Sequence, residues 1–329
     1  MTFLKDFKAN LTIINMRVCV LTYEGIRQSK EFYVRLMDEL KKKFSSVTMI
    51  PIEKVTMKIT SKGTSIMYRN KELDEFDVLL PRIGPSHANY GFLILSQLEG
   101  KVYFPNKPMS YLIARDKVFN LMVLASKGIP IPKTIVTISK KVARNLTQNF
   151  DGSLIVKAEG KSGGKGVIFA RDFKSANTMI DALSLSKGEK LLLEEYVKAK
   201  GDVRLFVIGD KVEAAAMRVS SDRDVRSNIH AGGKYVNFDP PQKIKKLAIR
   251  AAKAIGAEIC GVDVLIGEGK PVVLECNMNP GFYITKVTGI NLFKRITDYV
   301  YENGRKFYSG ENMFVDFISD VLRYFRDHL

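Results

Sequence analysis

The sequence predicts a protein of mixed α/β and α+β class, in which a small N-terminal parallel sheet precedes two further lobes. Three observations lead to this prediction. The chain has 329 residues, which is more than one hydrophobic core usually supports. Apolar strands alternate with a helical repeat near the N-terminus. From Ser153 onward, strand-like segments follow one another across glycine-rich turns, as in antiparallel sheets.

The N-terminal part begins with a βα unit. Met16 to Thr22 is a continuous apolar run typical of a buried strand, and Ser29 to Phe44 follows with helical spacing. Strands near Val47 to Ile50 and at Asp77 to Leu80 complete a small parallel sheet before about residue 105. Prolines then punctuate the chain, and the segment Tyr111 to Lys127 between them is predicted to be helical.

The second half begins with a predicted hairpin. The strands Leu154 to Lys157 and Val167 to Ala170 flank the glycine-rich loop Gly160 to Gly166, so no helix follows the loop directly as it would in a Rossmann or Walker motif. The other predicted elements are the helices Ser175 to Leu185, Ile244 to Ile255 and Phe307 to Leu329, and the strands Leu191 to Val197, Val203 to Ile208, Val212 to Val219, Gly261 to Ile266 and Pro271 to Cys276.

These elements predict five segments along the chain. They are an N-terminal extension (1–15), an N-terminal α/β domain (16–105), a central lobe with the glycine-rich loop (106–190), a C-terminal lobe with a metal site (191–303) and a C-terminal helix (304–329).

Composition limits the classes of function. Lys and Arg number 52 against 35 Asp and Glu, and the formal charge of +17 favours anionic partners such as nucleotides, acidic metabolites or a carboxylate-rich tail. Nucleic acid is not favoured, because the basic residues match no nucleic-acid module. No apolar run approaches the ~20 residues of a membrane span. Three scattered cysteines favour a reducing cytoplasm over a disulfide framework or a zinc site.

The glycine-rich loop is a candidate phosphate site. Its glycines let backbone N–H groups close over phosphates, and its lysines add positive charge. Lys157 at the end of the preceding strand and Lys117 in an Arg-Asp-Lys segment supply two more cations. A flexible turn would show the same glycines, so the loop alone leaves both interpretations open.

A candidate metal site lies on the last predicted hairpin. Glu275 and Asn277 are two residues apart on a strand and therefore share a face. If the hairpin pairs around Gly269, Asp263 falls opposite Glu275 on the same face. Two carboxylates and an amide oxygen suit Mg²⁺ or Mn²⁺ bridging nucleotide phosphates. The alternative is that these strand ends are solvated separately.

Arginines on neighbouring predicted strands are candidates for holding anionic groups. Arg204 and Arg218 could bind a transferring phosphoryl group or an acidic substrate in bidentate fashion. Glu194, Glu195 and Val197 lie at a strand end that could hydrogen-bond a base through its backbone, with Asp202 near a ribose.

Several segments follow one another in a recognisable order. Besides the lysines and the loop, they are Pro81-Arg82-Ile83-Gly84, Arg115-Asp116-Lys117, Arg226-Ser227-Asn228-x-His230-x-Gly232-Gly233, Glu275-x-Asn277-x-Asn279-Pro280-Gly281 and Thr288-Gly289-Ile290. With these segments the chain resembles the ATP-grasp superfamily and, more narrowly, the RimK-type α-L-glutamate ligases. The similarity runs from about Met16 to residue 303.

The resemblance implies an ATP-grasp fold with an N-terminal pre-ATP-grasp domain that helps form an acceptor cleft. It assigns phosphate contacts to Lys117 and Lys157, with Ser162, Gly163, Gly164, Lys165 and Gly166 closing over them. It places adenine at Glu195 and Val197, with Glu194 where a glutamine is common, and ribose at Asp202. It assigns two magnesium ions to Asp263, Glu275 and Asn277, and the phosphates or the acyl group to Arg204, Arg218 and Asn228.

The implied reaction is ATP-dependent ligation of L-glutamate to a carboxylate through an acyl phosphate. The acceptor would be a protein C-terminus, such as that of a ribosomal protein, or a glutamyl-bearing coenzyme of the deazaflavin or tetrahydromethanopterin type. Two alternatives remain open: ligation of another amino acid in an amino-group-carrier or peptide pathway, and a nucleotide- or nucleic-acid-binding protein that no longer turns over. The sequence leaves a homo-oligomer open.

Overall fold

The computed structural model describes residues 15–23, 30–158, 167–183, 188–219, 234–267 and 269–309. These residues form two compact units. The first takes in the described residues of Met1–Leu112, Gly256–Ile259 and Asn291–Leu329, and the second takes in those of Ile113–Ile255 and Cys260–Ile290.

The first unit contains the predicted parallel sheet. Its strands are β1 (Arg17–Thr22), β2 (Ser46–Pro51) and β6 (Val78–Pro81). They lie in the order β2-β1-β6, and β1 pairs in parallel with both neighbours. Every residue of β1 after Arg17 is buried, which agrees with the continuous apolar run because parallel sheets are covered on both faces. The prediction of a small parallel sheet is confirmed.

The same unit contains a second sheet that the sequence did not predict. It is antiparallel, in the order β3-β4-β5, and is formed by β3 (Val55–Thr60), β4 (Gly63–Tyr68) and β5 (Lys71–Glu72). Its strands combine few buried residues with many exposed polar ones, so they lack the apolar signal by which β1 was found.

The helices of the first unit are α1 (Lys30–Lys41), α2 (Ala88–Leu98) and α9 (Leu292–Ser309), and the first residues of α3 (Pro108–Arg115) also belong to it. The helix predicted over Ser29 to Phe44 is confirmed as α1. Helix α9 packs against α1, with Phe293 stacked on Phe32, although the sequence predicted no helix beginning there. Only the first residues of the predicted terminal helix are described, and they form the end of α9. Residues 310–329 lie outside the described residues.

The second unit begins with a four-stranded antiparallel sheet that carries the predicted hairpin. Its strands are β7 (Thr134–Thr137), β8 (Leu154–Ala158), β9 (Val167–Ala170) and β10 (Leu191–Glu195), in the order β7-β10-β8-β9. Strands β8 and β9 pair antiparallel, which confirms the hairpin. The prediction placed residues 191–303 in one lobe, whereas β10 pairs with β7 and β8.

One face of this sheet is apolar. Leu154 and Val156 of β8 and Leu191 and Leu193 of β10 pack with residues of two helices in one buried cluster. Because successive strand residues alternate between faces, the residues between them point to the opposite face. The helices concerned are α5 (Lys140–Leu146) and α6 (Phe173–Ala182), the latter in place of the predicted Ser175 to Leu185.

A five-stranded sheet completes the second unit. Its order is β13-β12-β11-β14-β15, and the strands are β11 (Ala199–Ile208), β12 (Lys211–Val219), β13 (Lys234–Asn237), β14 (Ile259–Gly267) and β15 (Val272–Asn277). Helix α7 (Gln242–Ala254) packs on β11, β12 and β15, and α8 (Ile284–Thr288) packs on β12 and β13. Four of these strands and α7 were predicted; β13 was not.

The single helix predicted over Tyr111 to Lys127 is two helices, α3 and α4 (Lys117–Ser126). Asp116 separates them because its side chain accepts hydrogen bonds from the backbone N–H groups of Val118 and Phe119, at 2.9 and 3.0 Å. An aspartate in this position caps a new helix N-terminus. Helix α4 therefore begins at Lys117, one of the predicted phosphate ligands.

Candidate active site

Six predicted site residues lie on one face of the five-stranded sheet. Asp202 and Arg204 are two residues apart on β11, and Arg218 of β12 is directly opposite Asp202. Strand β14 lies next to β11 and contributes Asp263, with Glu275 and Asn277 following on β15. The period of two in strand geometry places side chains of the same parity on a common face.

Two arginines and two aspartates of this face form one buried charge cluster, which we call the Asp–Arg cluster. Arg204 binds Asp263 in bidentate fashion, with Nε to Oδ1 at 2.7 Å and Nη2 to Oδ2 at 2.6 Å. Nη2 of Arg218 donates to the same Oδ2 at 2.6 Å. Arg218 also binds Asp202 through Nε at 2.6 Å and through Nη2. Two full charges of each sign therefore compensate one another.

Burial makes these interactions strong. Asp202 is 1% exposed, Asp263 2% and Arg218 7%. Burial by itself would raise the pKa of Asp263, but the charges and hydrogen bonds of Arg204 and Arg218 outweigh it and lower the pKa to about 2. The pKa of each arginine is raised: burial opposes the charge, and the aspartates more than offset this. Arg204, Arg218 and Asp263 are therefore charged at neutral pH.

The predicted metal donors extend this cluster toward the edge of the sheet. Asp263 is paired with Glu275 and Gly261 with Asn277, which confirms the register predicted for the hairpin. A β-bulge lies immediately after Asp263, and bulges re-aim side chains near functional sites. A carboxylate opposite a carboxylate is a repulsive pair unless a cation lies between or beside them. Glu275 and Asn277 are only partly buried, so they remain reachable from solvent.

The oxygens of Asp263, Glu275 and Asn277 suit a hard divalent cation, although they come from two carboxylates and one amide. Within the described part of the chain, no group of three or more His, Cys, Asp and Glu side chains could hold a metal, so the amide oxygen of Asn277 is needed. Both oxygens of Asp263 accept from arginines, so metal binding there would be shared with Arg204 and Arg218. Carboxylate and amide oxygens are the ligands that Mg²⁺ and Mn²⁺ take in proteins.

Asn279 adds an oxygen that sequence reasoning had not placed in the site. Its backbone N–H donates to Oδ1 of Asn277 at 2.9 Å, which orients the amide of that predicted ligand. Its own buried Oδ1 has no hydrogen-bond partner among the described residues. A buried oxygen without a donor is costly and is expected to acquire a partner on ligand binding. Gly261 is needed nearby, because a Cβ there would lie 2.9 Å from Pro280.

The four-stranded sheet carries a second buried ion pair on its face away from the apolar cluster. Lys157 is paired with Leu192 and Glu194 with Ile155, so the two charged residues are diagonal neighbours on one face. Nζ of Lys157 donates to Oε1 of Glu194 at 2.7 Å and also contacts the other carboxylate oxygen. Glu194 is 4% exposed. The Lys157–Glu194 pair therefore brings together two residues predicted to contact ATP.

The other predicted nucleotide residues lie near strand and helix ends. Lys117 is partly buried at the start of α4, and Glu195 and Val197 are partly buried at and beyond the end of β10. Asp116 before Lys117 accepts a hydrogen bond from Nζ of Lys190 at 2.6 Å, and Lys190 directly precedes β10. Sequence reasoning missed this link, because nothing in the sequence connects two residues 74 positions apart.

The remaining predicted site residues lie outside the described residues. They are Ser162, Gly163, Gly164, Lys165 and Gly166 of the glycine-rich loop, and Asn228. The roles predicted for them, and the ribose contact predicted for Asp202, stay predictions. In the described part of the chain, no helix has the length and apolar character needed to cross a membrane.

Comparisons with known proteins cover nearly all of the chain. Residues 16–110 match the RimK PreATP-grasp domain, and residues 114–300 match the RimK-like ATP-grasp domain. A "Probable alpha-L-glutamate ligase" of Thioalkalivibrio sulfidiphilus is 34% identical over 295 residues, covering 88% of this chain and 97% of the relative.

Two solved structures share the fold at low identity. The ATP-grasp ligase PsnB, complexed with minimal precursor, Mg and ADP, superposes with a TM-score of 0.67 at 16% identity, covering 89% of this chain and 99% of PsnB. A RimK domain protein ATP-grasp from Sphaerobacter thermophilus has a TM-score of 0.64 at 18% identity, covering 86% of this chain and 99% of that one.

The fold and the family models define an ATP-grasp enzyme with an N-terminal pre-ATP-grasp domain. The chain belongs to the RimK family of ATP-grasp ligases and is an ATP-dependent ligase. This confirms the resemblance seen in the sequence and does not support a protein that has lost turnover.

Proposed function

We propose that the enzyme joins the amino group of L-glutamate to an acceptor carboxylate, on a protein C-terminus such as that of a ribosomal protein or on a glutamyl-bearing coenzyme of the deazaflavin or tetrahydromethanopterin type. The choice of glutamate is supported by the 34% identical relative named as an α-L-glutamate ligase. The reaction would take place in the cytoplasm, in keeping with three buried free thiols, Cys19, Cys260 and Cys276.

The reaction has two steps. An oxygen of the acceptor carboxylate attacks the γ-phosphorus of ATP, the bond to the β-phosphate oxygen breaks, and ADP leaves. The glutamate amine then attacks the acyl carbon of the resulting acyl phosphate, loses a proton and displaces inorganic phosphate. Both steps bring negatively charged groups together, so the enzyme's main task is to position and neutralise them.

The observation that carries the proposal is the Asp–Arg cluster beside the metal donors. Each guanidinium has five N–H donors in a fixed fork. Arg204 gives two of them to Asp263, so others remain for an anionic group. The aspartates hold Arg204 and Arg218 in a defined orientation before any substrate arrives, which is how preorganised cations stabilise developing charge.

Asp263, Glu275 and Asn277 would hold magnesium or manganese, with two ions expected. When bound, the metal would neutralise the phosphates that the acceptor carboxylate approaches. Lys157 and Lys117 would contact the phosphates from the other sheet and from α4, and Glu195 and Val197 would contact adenine. Glu194 restrains the ammonium group of Lys157, which keeps that cation in place until the phosphates bind.

Mass spectrometry tests the proposal. An acceptor pool of ribosomal proteins and glutamyl coenzymes is incubated with the enzyme, ATP, magnesium and glutamate. We expect one acceptor class to gain glutamyl mass, with ADP and phosphate released only when acceptor and glutamate are both present. Equal ADP release with other amino acids would reject glutamate while leaving the ligase reaction intact.

A further inference from the structure

Helix α4 contacts the metal-donor strand through one buried side chain, Asn120. Nδ2 of Asn120 donates to the backbone oxygen of Cys276 at 3.2 Å, and Oδ1 accepts from the backbone N–H of Cys276 at 3.3 Å. Asn120 is 2% exposed. One amide therefore satisfies both backbone groups of the residue between Glu275 and Asn277.

The position of β15 in the sheet explains why the hydrogen bonds from Asn120 affect the metal donors. Strand β15 is an edge strand of the five-stranded sheet. One edge of β15 pairs with β14, and no further strand among the described residues pairs with its other edge. Glu275 and Asn277 are paired with Asp263 and Gly261 of β14. Cys276 is paired with Val262 of β14, but its backbone N–H and C=O bond to Asn120 and so point away from β14, as those of alternate residues in an antiparallel strand do. Asn120 acts there in place of a further strand.

We propose that Asn120 is a positioning residue for the metal ligands, fixing the backbone of Cys276 and thereby the direction of the Glu275 and Asn277 side chains. The same helix begins at Lys117, a predicted phosphate ligand, so α4 couples the phosphate-binding end of the site to the metal donors. The inference rests on the magnesium-nucleotide site of the proposed function.

The sequence carries a weak signal for this role. Asn120 lies beside the buried residues Leu121 and Leu124 on the interior side of α4. A buried amide among leucines is costly unless both of its polar groups are satisfied. Such a residue indicates a buried polar contact, although the sequence does not tell which strand receives it.

A second asparagine in the chain makes the same kind of contact away from the metal donors. Nδ2 of Asn106 donates to the backbone oxygen of Ile259 at 3.0 Å, and Oδ1 accepts from the backbone N–H of Ile259 at 2.8 Å. Asn106 is also 2% exposed. Its Oδ1 also accepts from the backbone N–H of Glu258 at 2.9 Å. Asn106→Leu therefore removes the same kind of hydrogen-bond pair and one bond more, and it serves as the control for the loss of a buried amide.

The test measures metal binding, with Mn²⁺ and ADP as probes and the free Mn²⁺ signal read by electron paramagnetic resonance. Asn120→Leu removes both hydrogen bonds, and Asn120→Asp keeps the acceptor but loses the donor. We expect both variants to bind Mn²⁺ about 10- to 100-fold more weakly, the range for residues that orient metal ligands. Excess metal should restore turnover, and Cys276 in Asn120→Leu should exchange its amide hydrogen faster. If Asn120→Leu does not fold, Asn120→Asp carries the test.

Two results would overturn the inference alone: wild-type affinity in the Asn120 variants, or an equal loss in Asn106→Leu, which would show general loosening of the fold. A wild-type enzyme that does not bind Mn²⁺ with ADP would instead refute the metal site of the proposed function, and the inference with it.

Discussion

In the four-stranded sheet one lysine neutralises one glutamate, whereas in the five-stranded sheet two arginines and two aspartates share a single cluster. In the Lys157–Glu194 pair each residue has one charged partner, so loss of either residue leaves the other charge without its partner. In the Asp–Arg cluster, Asp263 is held by two guanidinium groups. We expect two tasks from this difference: the pair keeps the ammonium group of Lys157 in place, and the cluster keeps two guanidinium groups in a fixed orientation on the face that carries Glu275 and Asn277.

The largest effect on stability is expected at the centre of the cluster. Asp263→Asn leaves Arg204 and Arg218 with one carboxylate fewer in a buried site, and breaking such a network costs about 3–5 kcal/mol. Urea unfolding measures this change. Asp239→Asn is the control, because Asp239 pairs with Lys245 while its side chain is 90% exposed, and a change within about 0.5 kcal/mol is expected there. Equal losses in the two variants would contradict the buried network.

For the Lys157–Glu194 pair we expect a loss of stability of intermediate size, and the loss should differ between the two residues. Lys157→Met leaves the carboxylate of Glu194 buried without its cation, which should lower the free energy of unfolding by about 3 kcal/mol. Glu194→Gln leaves a lysine whose side chain is 19% exposed and can turn toward water, so about 1 kcal/mol is expected. Urea unfolding compares the two variants. A larger loss of stability in Glu194→Gln than in Lys157→Met would show that burial of Glu194 does not determine the difference.

The sequence predicts the features of these two sheets that depend on residues close together in the chain, and it does not predict those that depend on residues far apart. The hairpins and the Asp263 to Glu275 register follow from strand period and turn position, which are local. The pairing of Arg218 with Asp202 requires the register of two long strands, which the sequence did not give. The partners of Asn120 and Lys190 depend on tertiary packing between residues far apart in the chain, so only a structure reveals them.

The smallest effect is expected at the Asp116–Lys190 pair, which is about one-third exposed. Burial tends to raise the pKa of Asp116, but the hydrogen bonds from Lys190 and from the N–H of Phe119 lower it below its ordinary value. The pair therefore stabilises the fold above that ordinary value, and the contribution is lost as pH falls through the lowered pKa.

Lys190→Gln should accordingly cost about 0.2–1 kcal/mol at neutral pH, and the difference from wild type should close on acidification. Unfolding curves recorded from pH 7 downward measure the gap, with Lys190→Arg as the variant that keeps the charge. A gap that widens as pH falls would contradict the assignment.

The most direct test of the central claim, that metal-dependent ligation takes place on the five-stranded sheet beside the Asp–Arg cluster, is the turnover of Glu275→Gln. Glu275 is only partly buried, so this variant should fold with near wild-type stability, while loss of a metal carboxylate should abolish glutamate-dependent ADP release and weaken Mn²⁺ binding. A folded Glu275→Gln enzyme that releases ADP at a near-normal rate would contradict the account.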